Sequence, residues 1–334
     1  MRRWPPRLLI IASFGLHVFT AACYTRQPDM MAAFTVYPLW MWGLIGLALA
    51  ATAYVFWRAP LSLVMTIIWS LTMLFFSDES LPLARIGQEA PKPGPAEEFM
   101  GQDTLRVCTL NWGGKKHNRQ EVAAQAERVA SYHPDILLLQ EVHPWQAKMI
   151  ADALYAHGGD YRTSSNSAII TRWKVHLGIH NPMPHSQHIT LKLPSGRMID
   201  CVNFHLRSAN TDMRLWRRSC WKSHALNRQL QRREVFYSLS LLKHNTPYPT
   251  RPVIAAGDFN APATDPLHDL LRKDFIDSFA TAGTGWGNTW HRRIPLHRID
   301  YIYSSPLLRP VRSHTVIVPA SDHRMLVSDF ILMP

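Results

Sequence analysis

Six short strings between residues 111 and 323 carry side chains that could do hydrolytic chemistry together. They are Asn111, Gln140-Glu141, His205, Gly257-Asp258-Phe259-Asn260, Arg298-Ile299-Asp300-Tyr301 and Ser321-Asp322-His323. Pooled, they offer carboxylates, carboxamides and imidazoles, and no thiol. That inventory suits a hard, oxygen-ligated cation, Mg²⁺ or Mn²⁺, better than a thiolate-bound zinc. A hard cation beside a phosphate polarises a phosphoryl oxygen and favours attack by water. Each string also has an ordinary structural competitor. Asn111 could cap a turn and Asp258-Phe259-Asn260 could be an Asx turn. Glu141 could serve the N-terminus of a helix beginning at Pro144. His205 could be a satisfied core histidine, Asp300 a salt-bridge partner of Arg298, and Asp322-His323 a loop cap.

The elements around these strings make them a set. Apolar runs read as strands over 105–110, 135–140, 198–206, 252–256, 298–303 and 325–331, so the chemistry falls at strand ends. Further strands are expected over 167–171, 174–179, 188–193 and 315–318. Helical patterns cover 119–132, 144–156, 222–244 and 266–271. Many strands with interspersed helices imply sheets packed face to face and covered by helices.

In these motifs, over roughly residues 103–334, the chain resembles the endonuclease/exonuclease/phosphatase superfamily. The resemblance implies an α/β fold of two β-sheets packed as a sandwich flanked by helices, four layers in all. It implies Glu141 as the principal metal ligand, with Asn111 and Asp322 helping to hold the metal or its waters. Asp258 would position and deprotonate the attacking water, and Asn260 would orient that carboxylate or the phosphate. His205 would hydrogen-bond a non-bridging phosphate oxygen. His323 would be the second imidazole on the phosphate, held by Asp300. Two lesser matches are Asn166–Arg172 and Thr289-Trp290, where Trp290 could stack on substrate or pack in the core. The Gly113-Gly114-Lys115-Lys116 turn departs from relatives that carry a second metal-directed acid there.

The first hundred residues are of another kind. Three nearly charge-free runs, 8–25, 30–57 and 59–77, each approach the ~20 apolar residues that cross a bilayer. We expect a three-helix transmembrane anchor over 1–77, a Pro-rich linker over 78–102 (Pro82, Pro91, Pro93, Pro95) and a catalytic domain over 103–334. The competing reading is a cleaved signal peptide: Arg2, Arg3 and Arg7 precede an apolar core that ends near Cys23. Arginines before the first of three spans put the N-terminus in the cytoplasm and the large domain outside an inner or plasma membrane. Cys23, Cys108, Cys201 and Cys220 are too few for a disulfide framework and read as buried small hydrophobes.

The chain carries 36 Lys/Arg against 24 Asp/Glu, a net +12, and residues 1–99, with seven Lys/Arg against six Asp/Glu, hold one unit of the excess. Polyanionic partners are favoured. The stretch 207–233 concentrates the charge, from Arg207 to Arg233, around Trp216 and Trp221. Cations with aromatics suit single-stranded nucleic acid and equally an anionic membrane surface. A nuclease or general phosphodiesterase is the first expectation. A sphingomyelinase-like or phosphoinositide-phosphatase-like lipid phosphoesterase is the alternative, and a catalytically inactive membrane binding module the third. Arg207 and Trp290 are candidate substrate contacts. Membrane contact runs through the N-terminal helices, and no protein partner is inferred.

Overall fold

Among the described residues, twelve strands make two six-stranded sheets, each assembled around one parallel pair in otherwise antiparallel surroundings. The computed structural model describes residues 4–87, 104–113, 118–156, 158–179, 184–208 and 212–334. The strands are β1 (Thr104–Asn111), β2 (Ile136–Gln140), β3 (Asp160–Thr163), β4 (Ser167–Thr171), β5 (Val175–Ile179), β6 (Ser186–Lys192), β7 (Met198–His205), β8 (Val253–Asp258), β9 (Ile276–Asp277), β10 (Asp300–Ser304), β11 (Leu308–Ile317) and β12 (Arg324–Leu332). One sheet runs β11-β12-β1-β2-β4-β3, the other β5-β6-β7-β8-β10-β9. The parallel pairs are β1 with β2 and β7 with β8.

The helices are α1 (Trp4–Arg26), α2 (Ala32–Thr35), α3 (Leu39–Trp57), α4 (Leu61–Phe76), α5 (Ser80–Ala84), α6 (Arg119–Ala130), α7 (Pro144–Leu154), α8 (Arg218–Asn245), α9 (Leu267–Arg272) and α10 (Ser278–Ala282). Strand side chains alternate between faces, and both faces of the first sheet are buried. Leu105, Val107, Ile136 and Leu138 meet Ile199, Cys201, Ile254 and Ile302 between the sheets. On the opposite face Cys108, Leu110, Leu137 and Leu139 pack under Val122, Ala126 and Val129 of α6 and Ala147 and Ile150 of α7. A capping box starts α6, with Asn118 Oδ1 accepting from Glu121 N and Glu121 Oε2 accepting from Asn118 N, each at 3.0 Å. The outer face of the second sheet carries the ring cluster Phe259, His268, Tyr301 and Tyr303, and Ser238 of α8 meets Ser186 of β6. This is the expected α/β sandwich with helices outside.

The chain forms two compact units: Met1–Ser80 with Ala209–Gln229 and Pro262–Pro266, and the remainder. Within the first, α1, α3 and α4 pack side by side through polar bonds at mid-helix. Ser13 Oγ donates to Gly46 O at 2.9 Å, Trp69 Nε1 to Ser13 Oγ at 3.1 Å, and His17 meets Thr72 at 2.9 Å. Gly46 is required, because a Cβ there would sit 2.0 Å from the Trp69 ring. Apolar side chains such as Leu8, Phe14, Val18, Ile67, Leu74 and Phe75 face outward, uncovered by protein. Two helices, 5–26 and 39–57, are long and apolar enough to cross a membrane, and Leu61–Phe76 is a shorter apolar helix. Of the second apolar run, 30–57, only residues 39–57 form the long helix. Pro38 cannot lie inside a helix, and α3 begins just after it.

Other departures have local causes. The expected linker begins as a helix, α5, and Arg85 Nη1 donates to Ala280 O and Gly283 O. Pro91, Pro93 and Pro95, like Arg2 and Arg3 at the N-terminus, lie outside the described residues. β3 and β9 are too short for periodicity to register. β11 extends seven residues before Thr315 through Pro310, where the register with β12 shifts; a proline reads as a strand breaker, and the bulge at this edge absorbs it. All four cysteines are free and buried, as expected.

Candidate active site

The parallel pairs place the chemistry. Because β1 and β2 run together, their C-terminal ends, Asn111 and Gln140-Glu141, lie side by side. Because β7 and β8 run together, so do His205 and Asp258. The antiparallel partners bring their starting ends to the same rim: Asp300 of β10 is registered against Asp258, and β12, paired to β1, opens directly after His323. A buried amide bridge ties the two sheets beneath this rim. Gln140 Nε2 donates to Asn203 Oδ1 at 2.7 Å, and Asn203 Nδ2 donates to Leu139 O and Ala168 O.

Asn111 joins the two halves of the site. Its Nδ2 donates to Glu141 Oε1 at 3.2 Å and to Asp258 Oδ2 at 2.9 Å, while its Oδ1 accepts from Gly113 N at 3.1 Å. Asp258 Oδ1 accepts from Asn260 N at 2.8 Å, and Asn260 Nδ2 donates to Leu206 O. The Asx turns weighed as competitors thus exist, and the second carboxylate or amide atom still faces the rim. His205 lies 3.5 Å from Glu141 Oε1 through Nε2, with Asn166 Nδ2 at 3.4 Å from its Nδ1. It is a partly exposed rim residue, not a core histidine. His323 Nδ1 is 2.8 Å from Asp300 Oδ2, and its Nε2 is 4.0 Å from Asp258 Oδ2. Arg298 does not pair with Asp300; it is bound to Asp277 at 2.8 Å and stacked on Tyr301. The helix at Pro144 is capped by His143 rather than by Glu141. Glu141 and Asn260 hold φ of +51° and +50°. Asparagine tolerates that region, but glutamate there costs on the order of 1–3 kcal/mol, a strain typical of functional positions.

The electrostatics separate the roles. The hydrogen bond from His205, seconded by Asn111, holds Glu141 down at about 2, so it is anionic throughout the physiological range. Burial, reinforced by Asp300, pushes Asp258 up to about 6. Burial opposes charge on His205, but Glu141 and Asp258 outweigh it and the net shift is upward. Burial likewise opposes charge on His323, yet Asp300 carries it up to about 10. Asp300 Oδ1 is buried with no hydrogen-bond partner among the described residues, which leaves His323 as this carboxylate's one side-chain hydrogen-bond partner.

Asp258, Asp300 and His323 bring a ligand atom each within 4.8 Å of one another. An imidazolium has no free lone pair for a metal, so this buried trio fits a proton and charge relay. The donors that fit a hard cation stand beside it. Glu141 is permanently anionic with its side chain 42% exposed. Asp322 is exposed, with Oδ1 3.6 Å from where a Cβ on Gly113 would sit, which sets it against the turn that follows Asn111. Asn111 turns its NH₂ toward the carboxylates, so its part is to bridge them. The donors are oxygens, as Mg²⁺ or Mn²⁺ prefers.

The two candidate substrate contacts flank this rim. Arg207 is exposed two residues beyond His205, and its charge is felt by His185 and Glu234. Trp290 is half-buried, with its ring 5.8 Å from that of His297 and its backbone bridged to His323. Residues 114–117, including Gly114, Lys115 and Lys116, lie outside the described residues. Arg172 sits at the far end of β4, paired with Asp135. Two members of the motifs gain a role only in the structure: Ser321, whose Oγ donates to Asn111 O and accepts from His323 N, and Thr289, whose Oγ1 accepts from Asp300 N.

Residues 110–323 match the model of the Endonuclease/Exonuclease/phosphatase family. No curated protein matches the chain. Among solved structures, a family protein from Bacteroides thetaiotaomicron aligns with a TM-score of 0.54 at 17% identity, over 69% of this chain and 95% of that one. The mannosyl-6-phosphatase Bt3783 of Bacteroides thetaiotaomicron VPI-5482 aligns at 0.51 and 18%, over 68% and 100%. The catalytic domain of human Nocturnin with a bound sulfate anion aligns at 0.51 and 20%, over 70% and 96%. These likenesses share the fold, and with the match over most of its length the chain belongs to the Endonuclease/Exonuclease/phosphatase family.

Proposed function

We propose that this chain is a divalent-metal-dependent phosphoesterase that hydrolyses its substrate by in-line attack of water, acting as a nuclease or general phosphodiesterase. The observation that carries the reading is the double hydrogen bond of Asn111, which brings the anionic Glu141 and the titratable Asp258 to one rim. Mg²⁺ or Mn²⁺, held by Glu141 and Asp322 with Asn111 bridging, would supply Lewis-acid polarisation of a phosphoryl oxygen. Asp258, with a pKa near 6 and one oxygen fixed by Asn260 N, is ionised at neutral pH and still basic enough to take the proton of water as its oxygen attacks phosphorus. The phosphorus–oxygen bond to the leaving group breaks on the opposite side, so no covalent enzyme intermediate forms. His323, charged by Asp300, and His205 donate to phosphate oxygens where negative charge builds. Arg207 and Trp290 border the site as substrate contacts.

A second reading, lipid-directed hydrolysis, is favoured by the outward-facing apolar shell of α1, α3 and α4. We read these helices as a membrane anchor over 1–77, followed by a linker over 78–102 and an extracytoplasmic catalytic domain over 103–334. The test is hydrolysis of bis(p-nitrophenyl) phosphate, plasmid DNA and phospholipid vesicles by the full chain with added Mg²⁺. Turnover lost in Glu141→Ala and Asp258→Ala supports the enzyme, and the preferred substrate chooses between the readings. A folded wild type that turns over no phosphoester overturns both in favour of an inactive binding module.

A further inference from the structure

We propose that the loop 212–217 and the opening turns of α8 form a docking surface for anionic phospholipid headgroups. The inference rests on reading α1, α3 and α4 as membrane spans.

This segment belongs to the same compact unit as the spans. Within that unit, one end of the helix bundle is marked by where α1 ends, α3 begins and α4 ends. There Tyr24 OH donates to Tyr37 O, and Trp40 Nε1 donates to Glu79 Oε1 at 3.1 Å. The loop that crosses this end, residues 27–38, is bonded to α8. Arg228, itself buried, bonds Asp265 Oδ2 at 2.8 Å through Nε and Thr35 Oγ1 at 2.7 Å through Nη2, while Gln229 Nε2 reaches Asp29 Oδ2 at 3.0 Å. These bonds hold α8 to the loop at this end of the bundle, where headgroups surround the spans.

The surface this exposes has the composition of an interfacial element. Trp216 is 80% exposed, Met213 56% and Leu226 55%. Arg218, Lys222 and Leu226 follow at helical spacing on one exposed face, next to exposed Arg217. The one acid between 212 and 226 is Asp212, and it is matched by Arg214 at 2.7 Å. Arg217, Arg218 and Lys222 are left as net positive charge. The loop is also built, which lowers the entropic cost of docking: Trp221 Nε1 bonds Leu215 O at 2.7 Å and His224 Nε2 bonds Asp212 O at 2.8 Å. An aromatic ring at headgroup depth with cations on phosphates is how proteins lie on anionic bilayers. A strand of nucleic acid offers the same phosphates, but the spans hold lipid permanently beside this face.

The test uses the full chain in nanodiscs of phosphatidylcholine, with and without phosphatidylglycerol, read by hydrogen exchange. We expect exchange over 212–226 to slow roughly tenfold or more when phosphatidylglycerol is added, since each cation adds about fivefold to the partition. The effect should vanish in R217E/R218E/K222E and, in the wild type, at 0.5 M salt. Peptides of α1 and α3 report the anchor separately: free exchange there in every disc overturns the span reading itself. Protected spans with equal exchange over 212–226 in both discs overturn the docking surface. So does slowing by a single-stranded oligonucleotide in phosphatidylcholine discs without slowing by phosphatidylglycerol.

Discussion

Asp300→Asn isolates the charge relay at nearly constant shape. The carboxylate is fully buried, accepts from His323 Nδ1 at 2.8 Å and raises both His323 and Asp258. An asparagine oxygen can still accept that hydrogen bond, so the ring stays in place while its ionic partner disappears. Burial then governs His323, and its pKa falls from about 10 toward neutrality. Asp258 falls as well, from about 6, because a neighbouring negative charge has gone. The wild type should therefore be active between an acid limb near 6, where Asp258 takes a proton, and an alkaline limb near 10, where His323 loses one. In the variant both limbs move to lower pH. Replacing a charged donor by a neutral one at the phosphate should cost on the order of 10²–10⁴ in kcat/KM at pH 8. Stability should also fall, by roughly 1–3 kcal/mol, because a buried ion pair is lost and the asparagine NH₂ takes the place of an oxygen that lacks a partner. Hydrolysis of bis(p-nitrophenyl) phosphate by the full chain at saturating Mg²⁺, from pH 5 to 10, measures both effects. A variant within threefold of wild type, with unmoved limbs, would refute the relay.

Glu141→Ala should abolish tight Mn²⁺ binding, read by isothermal titration, and lower turnover by at least about 10³-fold, whereas chelation of the wild type should be reversed by returning metal. Asp329→Ala strands the buried guanidinium of Arg106, which it grips at 2.6 and 3.0 Å. A loss of about 3–5 kcal/mol is expected, a fall in Tm on the order of 10 °C, with kcat/KM preserved in the folded fraction. His297 and His314 are held neutral by burial, each down to about 4 against 6.5 when unfolded. Between those values the unfolded chain binds more protons, so stability should fall as pH drops from about 6.5 to 4, by up to roughly 3 kcal/mol per histidine. Urea melts across that range test this, and His314→Gln should flatten the slope. Gly257 has φ +137° and no room, since a Cβ would lie 2.0 Å from Phe204 O; Gly257→Ala should cost more than about 3 kcal/mol, read by the same melts.

The site was legible in the amino-acid sequence to an unusual degree because each rim residue closes or opens an apolar run. Asn111, Glu141, His205 and Asp258 end strands, while Asp300 and His323 precede or open them, so short strings sufficed to place them. Their supports were legible as members of the motifs but not in what they do. Thr289 and Ser321 act through hydroxyls that occur everywhere, and only the closed structure shows which amide each one meets. The partner of Arg298 was invisible for a different reason. Asp300 is two positions away in sequence, but β9 pairs with β10 and delivers Asp277 to the guanidinium instead. In the N-terminal helices, hydropathy averaged across Pro38 and so joined what the missing amide hydrogen separates.

The two parallel pairs also explain why such distant residues share a site. A purely antiparallel sandwich would alternate strand ends, sending half of these groups to the opposite edge. Here β1–β2 and β7–β8 present four C-terminal ends on one rim, and antiparallel β12 and β10 add their N-terminal ends to it. Each sheet contributes one acid of each kind: Glu141 from the first, exposed and anionic, and Asp258 from the second, buried and titratable. The difference follows from position. Glu141 leaves β2 in a left-handed turn that lifts its carboxylate into solvent, whereas Asp258 remains the last paired residue of β8, walled in by Asp300 and His323. Asn111, among the described residues the side chain bonded to both, is accordingly where loss of the amide should change cation binding and base strength at once. Asn111→Leu should raise the pKa of Asp258, weaken metal affinity and shift the acid limb upward together, while Asn260→Ala, which keeps the backbone N–H on Asp258 Oδ1, should leave the acid limb in place.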